Sequence, residues 1–196
     1  MAVLALVVLS GCGPDSPAAE RATDRTKTPS ASPRASSAKA SPKPLAHSAP
    51  DRLRIPAIGV DTGVIRLGLT ETREIEVPPI RADDPAGWYE QSPTPGELGP
   101  SVILGHVTVG KYGAGVFKRL PGLDRGDRIT ITRKDGSAAV FAVDSVERVA
   151  KKRFPTQRVY GNTDHAALRL ITCGGSRSGG EYSDNVIAYA SQVTAR

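Results

Sequence analysis

From Asp51 to its end the chain is cut into short apolar runs separated by Gly, Pro, Asn and Asp. This punctuation limits the fold more than any other feature, because runs this short suit strands and leave no room for a long amphipathic helix. Arg52-Leu53-Arg54-Ile55-Pro56 and Ile58-Gly59-Val60 are β-like pieces. Pro56 has no N–H to give a ladder, which confines it to an edge or a bend. Val64-Ile65-Arg66-Leu67 and the alternating Glu74-Ile75-Glu76-Val77 read as further strands. Pro78 to Gly99 is rich in Pro, Gly and Asp, carries the only tryptophan, Trp88, and reads as an ordered loop or short helix over the core. Ser101-Val102-Ile103-Leu104-Gly105-His106 is a buried strand ending on a polar residue, and Gly115 to Leu120 suits one helical turn.

Arg128 to Arg133, then Lys134-Asp135-Gly136, then Ala138 to Val149 has the pattern of a hairpin, since Asp-Gly supplies the positive φ a tight turn needs. Leu168 to Cys173 and Val186 to Ala190 are the last two strands. Roughly eight short strands with no convincing long helix predict an all-β barrel or sandwich. With aromatics at only 5%, its core must be built from Val, Ile, Leu and Ala.

The residues before Asp51 have another character. Gly13 to Pro50 is dominated by Ser, Pro, Ala and Thr without helical or alternating period, so it cannot bury enough surface to offset its ordering entropy. It is expected to be a stiff, disordered spacer. Ahead of it, the apolar run Ala2 to Leu9 leads into Leu9-Ser10-Gly11-Cys12, which looks like a bacterial lipobox whose cysteine is lipidated. The alternative is a truncated membrane segment that ends in Gly-Cys-Gly. The expected organisation is an anchor segment over 1–12, a spacer over 13–50 and a folded domain over 51–196. Either anchor puts the domain outside the cytoplasm, at the membrane surface. The formal charge of +6 then suits anionic lipid or wall polymer better than nucleic acid. Few aromatics are available to stack bases, which also argues against nucleic acid.

Only two cysteines are present, Cys12 and Cys173. A disulfide is one reading of such a pair outside the cytoplasm, and lipidation of Cys12 is the other. Cys173 ends an apolar strand and is followed by Gly174-Gly175, which lets another chain approach closely and leaves amide N–H groups free for an oxygen. His106 also ends an apolar strand. If the two strand ends meet, the imidazole favours the thiolate and can protonate a leaving amine. His165, in a polar stretch before the Cys173 strand, competes as partner, and His47 lies in the spacer with no assigned role. One Cys and scattered His do not make a four-ligand metal set, so no metal is expected.

Leu104-Gly105-His106 and Leu170-Ile171-Thr172-Cys173 resemble the two halves of a sortase active site. The resemblance extends over about 140 residues through Arg54-Ile55-Pro56-Ala57-Ile58-Gly59-Val60, Pro93-Thr94-Pro95-Gly96, Phe154-Pro155-Thr156, Val159-Tyr160-Gly161 and Asp184-Asn185-Val186. These pieces look most like the class E/F sortases of actinobacteria. The resemblance implies a closed eight-stranded β-barrel with short helices and a cysteine transpeptidase that needs no cofactor. Its partners would be secreted proteins bearing a C-terminal Leu-Pro-X-Thr-Gly-type signal, cleaved through a Cys thioester, and a peptidoglycan-precursor amine as acceptor.

One departure stands out. The family carries an arginine on the last strand near the thioester, and alignment puts Asn185 there. Arg177, in the loop after the nucleophile, is a second candidate to stabilise oxyanion or substrate, and Arg153 and Arg158 have nothing to favour them. The missing arginine keeps two other readings open: a sortase-fold hydrolase and a non-catalytic surface binding module.

Overall fold

The computed structural model describes residues 42–194. The expected anchor segment with Cys12, and most of the spacer, lie outside these residues. Among the described residues no helix is long and apolar enough to cross a membrane.

Eight strands close into a barrel: β1 (Pro50–Ile55), β2 (Val60–Leu67), β3 (Ala86–Tyr89), β4 (Gly99–Leu104), β5 (Arg128–Arg133), β6 (Ala138–Ala150), β7 (Ala166–Ser178) and β8 (Glu181–Gln192). Their order around the barrel is β1-β2-β3-β4-β7-β8-β6-β5, so the expectation of an eight-stranded all-β barrel holds. One short helix, α1 (Thr156–Tyr160), and several 3-10 turns fill the connections.

Alternation along each strand sorts the apolar residues into two sets. Leu53, Ile55, Ile129, Ile131, Phe141, Leu168, Leu170 and Ala188 fill the barrel interior. Val102, Ile171, Ile187 and Tyr189 form a smaller cluster on the outer face, with Leu104, Tyr89, Val149 and Phe154 packed against it, and Val159 of α1 joins it. Strands buried on both faces read as continuous apolar runs, which is why β4 and β7 stand out in the sequence.

The β5–β6 hairpin forms as expected, with Gly136 at φ +82°. Two expectations fail nearby. Glu74 to Val77 alternates but makes no ladder strand; only an isolated bridge joins Leu69 to Ile75, and Val77 is exposed. The strand is instead Ala86–Tyr89, inside the stretch expected to be loop or helix, where it pairs in parallel with β2 and antiparallel with β4. Gly87 is needed there, because a Cβ would meet Leu67 Cδ1 at 2.3 Å. Trp88 is buried with its indole N–H donating to the Pro93 carbonyl at 3.2 Å.

The end of the expected spacer is also ordered. Residues 42–49 lie as a strap across the barrel, with the Leu45 N–H on the Gly96 carbonyl (2.8 Å) and the Ser48 N–H on Thr94 Oγ1 (3.1 Å). Arg133 holds this strap from below. Its side chain is 3% exposed and donates to the Ala46 carbonyl (2.6 Å), to Ser137 Oγ (2.8 Å) and to Asp135 (3.1 Å). Removing a buried cation's side chain orphans these acceptors, and Arg133→Ala is expected to cost about 2–4 kcal/mol in denaturant unfolding. An unchanged unfolding midpoint contradicts this account of the strap.

Candidate active site

β4 and β7 pair in parallel from Gly99↔Ala166 to Leu104↔Ile171, and the Gly105 N–H adds a last bond to the Ile171 carbonyl at 3.1 Å. His106 and Cys173 each lie two residues beyond the Leu104–Ile171 pair. The register therefore carries the two residues to the same rim of the barrel on adjacent strands. Cys173 shares the outer face of β7 with Ile171, because side chains repeat every second residue. Among the described residues the thiol has no disulfide partner, and it is half-buried, a state that leaves it open to a reagent.

The loop after β4 is held to His106 by its backbone. The His106 carbonyl accepts the Phe117 N–H at 2.9 Å, and Gly115 packs against that same carbonyl so closely that a Cβ would sit 2.3 Å from its oxygen. The half-buried imidazole places Nε2 2.6 Å from the Pro78 carbonyl. A carbonyl only accepts, so Nε2 carries the proton and Nδ1 is the free nitrogen of the neutral ring.

Asp84 closes the same corner. It is 8% exposed at φ +31°, and its Oδ2 accepts the Val116 N–H. Burial pushes its carboxyl above the usual carboxylate range, while the Val116 N–H and the His106 charge pull it back down. A cavity of about 430 Å³ opens beside it between Gly59, Thr62, Gly115 and Arg119. Sequence reasoning missed both Pro78 and Asp84. Asp84-Pro85 immediately before the tryptophan strand was the available signal.

Across the sheet from the thiol, Cys173 is registered with Asn185 of β8, which in turn faces Val149 of β6. The half-buried Asn185 is thus the cross-strand neighbour of the thiol. Arg177 is exposed in the β7–β8 hairpin. Its Nε donates to the Gly180 carbonyl at 3.2 Å and its guanidinium lies over the Tyr182 ring. Arg158 is paired with Glu147 at 2.6 Å, and Arg153 lies in the 3-10 turn Lys151–Arg153. Arg148, which the sequence did not single out, reaches the barrel mouth; a Cβ on Gly174 would lie 3.9 Å from its Nε. His165 lies just before β7, about 26 Å along the strand direction from Cys173, and is bound to Asp164 and Ser191. It is separated from the thiol. Among the described residues no three His, Cys, Asp or Glu side chains come together as a metal site.

A family model described as a sortase domain matches residues 53–193. The chain belongs to the sortase family. No curated protein sequence matches it, but solved sortases share its fold. Sortase A from Corynebacterium diphtheriae superposes with a TM-score of 0.58 at 20% identity, covering 78% of this chain and 64% of that one. Sortase C1 of GBS pilus island 1 gives 0.56 at 19%, covering 74% and 65%. The Clostridium perfringens sortase D5 transpeptidase gives 0.56 at 22%, covering 74% and 79%. The chain therefore spans just under two thirds of the length of the first two sortases.

The tight seat of Gly115 gives a direct check on this corner of the sortase barrel. Gly115→Ala forces a methyl against backbone atoms and is expected to cost about 1–3 kcal/mol. Gly63→Ala, where no atom lies within 4 Å of the new carbon, is expected to stay within about 0.5 kcal/mol of the parent. Thermal unfolding of the two variants checks the contrast.

Proposed function

We propose that this sortase-family chain is a cysteine transpeptidase acting on the C-terminal sorting signal of secreted proteins, with Cys173 as nucleophile and His106 as its acid–base partner. The observation that supports the reading is the parallel register that brings Cys173 and His106 to one rim of the barrel, within a domain matched to the family over residues 53–193. The class E/F character rests on the sequence motifs alone.

The substrate is a Leu-Pro-X-Thr-Gly-type segment. The Cys173 thiolate attacks the threonine carbonyl carbon and pushes its π electrons onto the oxygen. Collapse of this tetrahedral species breaks the Thr–Gly C–N bond, and the glycine amine leaves with a proton from the His106 imidazolium. The acyl group remains as a thioester. A wall-precursor amine then attacks the same carbon, gives its proton to His106, and releases the thiolate. In this reading Asn185 is the side-chain donor to the oxyanion. An amide gives that oxygen a hydrogen bond without a full positive charge. The chain works at the outer face of the membrane, tethered by its N-terminal segment, with Cys12 as the lipid attachment point.

Incubating a sorting-signal peptide with the full chain, with and without an added amine, tests this. Cleavage with amine-dependent transfer supports the transpeptidase; cleavage to the free acid alone moves the reading to the hydrolase. Cys173→Ala and His106→Ala are each expected to lose almost all cleavage, while Asn185→Ala should fall by about 10²-fold, the effect of one oxyanion donor. Full cleavage by Cys173→Ala ends the proposal.

A further inference from the structure

The connection between β2 and β3 meets His106 although little of it is buried. Val77, Pro79 and Ile80 are exposed and only Pro78 among them is buried, which seats one proline ring and leaves the rest of the connection uncovered. Its two ends are fixed by polar contacts. At one end the Gly68 N–H donates to Glu76 Oε2 at 2.8 Å and the Glu76 N–H returns to the Gly68 carbonyl at 3.1 Å. At the other end Asp84 is buried and bound to Val116. Between them the chain is stiff. The Pro78 ring fixes its φ, and the following Pro79 confines its ψ to the extended region. The direction of the Pro78 carbonyl is therefore set by covalent structure, and it points at His106 Nε2.

We propose that this connection is a positioning strut for His106: the Pro78 carbonyl, aimed by Pro79, holds the ring with Nδ1 free for proton transfer, and the buried Asp84, bound to the Val116 N–H, anchors the strut's far end. The inference rests on His106 being the partner of Cys173 and adds the groups that act through it. Asp84 anchors that end beside the His106 backbone: its Oδ2 accepts the Val116 N–H, and the next N–H, of Phe117, is bound to the His106 carbonyl at 2.9 Å. The other charged groups on the surrounding elements are Asp83, paired with Arg81; Asp61, Lys118 and Arg119, round the cavity beside Asp84; Lys111, over Tyr112; and Arg177, over Tyr182, whose hydroxyl is 3.2 Å from Thr108 Oγ1. All of these charged side chains are exposed.

The test uses full chain labelled with ¹⁵N-histidine, with His106→Gln to assign the His106 signals. The neutral His106 ring is expected as the Nε2–H tautomer, and Pro79→Gly should convert it to a mixture and lower kcat by about tenfold or more at similar KM. Asp84→Ala, which removes the acceptor of the Val116 N–H, should shift the ring toward the same mixture and lower kcat several-fold at similar KM, with partial rescue by Asp84→Asn, whose side-chain oxygen can still accept that bond. A parent ring in the Nδ1–H form overturns the inference. So does an unchanged tautomer and kcat in Pro79→Gly and Asp84→Ala, when His106→Gln does lower cleavage. If His106→Gln leaves alkylation and cleavage intact, the thiol–imidazole reading itself fails and takes the strut with it.

Discussion

The parallel pairing of β4 with β7 is the constraint from which the site follows. In an antiparallel pair, a residue at the C-terminal end of one strand meets the N-terminal end of its neighbour, so two strand-ending side chains lie at opposite rims. In a parallel pair the two ends coincide. His106 and Cys173 are 67 positions apart in sequence, and the register Leu104↔Ile171 nevertheless brings them to the same level. A parallel pair needs a crossover connection. Here the crossover contains β5, β6 and α1, so the elements that close the barrel also deliver the cysteine strand to its place beside the histidine strand.

The neighbours of that pair decide what chemistry it can do. On the Cys173 side the cross-strand residue is the neutral Asn185. Of the nearby cations, Arg177 is bound through Nε within its own hairpin, Arg158 is paired with Glu147, and Arg148 lies by Gly174. In the proposed mechanism the cross-strand neighbour of the thiol carries no charge, so the orientation of the ring set by the Pro78 carbonyl matters more than it would opposite a guanidinium. This links two features that look unrelated in the sequence, the asparagine before Val186 and the Pro-Pro pair after Val77.

Much of this was legible because the signals are local. β4 and β7 are apolar on both faces, the Asp135-Gly136 turn marks its own hairpin, and both reactive residues end apolar runs. The failures share a cause as well. Glu74 to Val77 has the alternation of a strand but no neighbouring strand to pair with, and period alone cannot supply one. Ala86-Gly87-Trp88-Tyr89 has weak strand character, and it is a strand because β2 and β4 lie on either side of it. The strap over residues 42–49 has the composition of a spacer. It is ordered by Arg133, almost 90 residues away in sequence, through a bond to a backbone carbonyl that no side-chain pattern reveals. The Pro78–His106 contact is of the same kind, a backbone acceptor meeting a distant side chain.

The floor beneath the thiol is held by polar contacts as much as by apolar ones. Arg169 occupies the outer face of β7 four residues before Cys173, and burial pushes its guanidinium below the usual arginine range. Its Nε donates to the Arg158 carbonyl at 3.3 Å, which ties β7 to α1. The guanidinium groups of Arg169 and Arg158 lie 4.9 and 4.4 Å from the Tyr189 ring centre, and the Tyr189 hydroxyl donates to Glu147 at 2.7 Å. Glu147 also accepts from Arg158, so one carboxylate, one ring and two cations form a closed set joining β6, α1, β7 and β8. A five-residue helix cannot hold its own position by burial, since it contributes one buried side chain, Val159. The contacts of Arg158 with the Tyr189 ring and with Glu147 fix it instead, and with it the wall above Leu104 and Ile171, the two residues whose pairing sets His106 and Cys173 level.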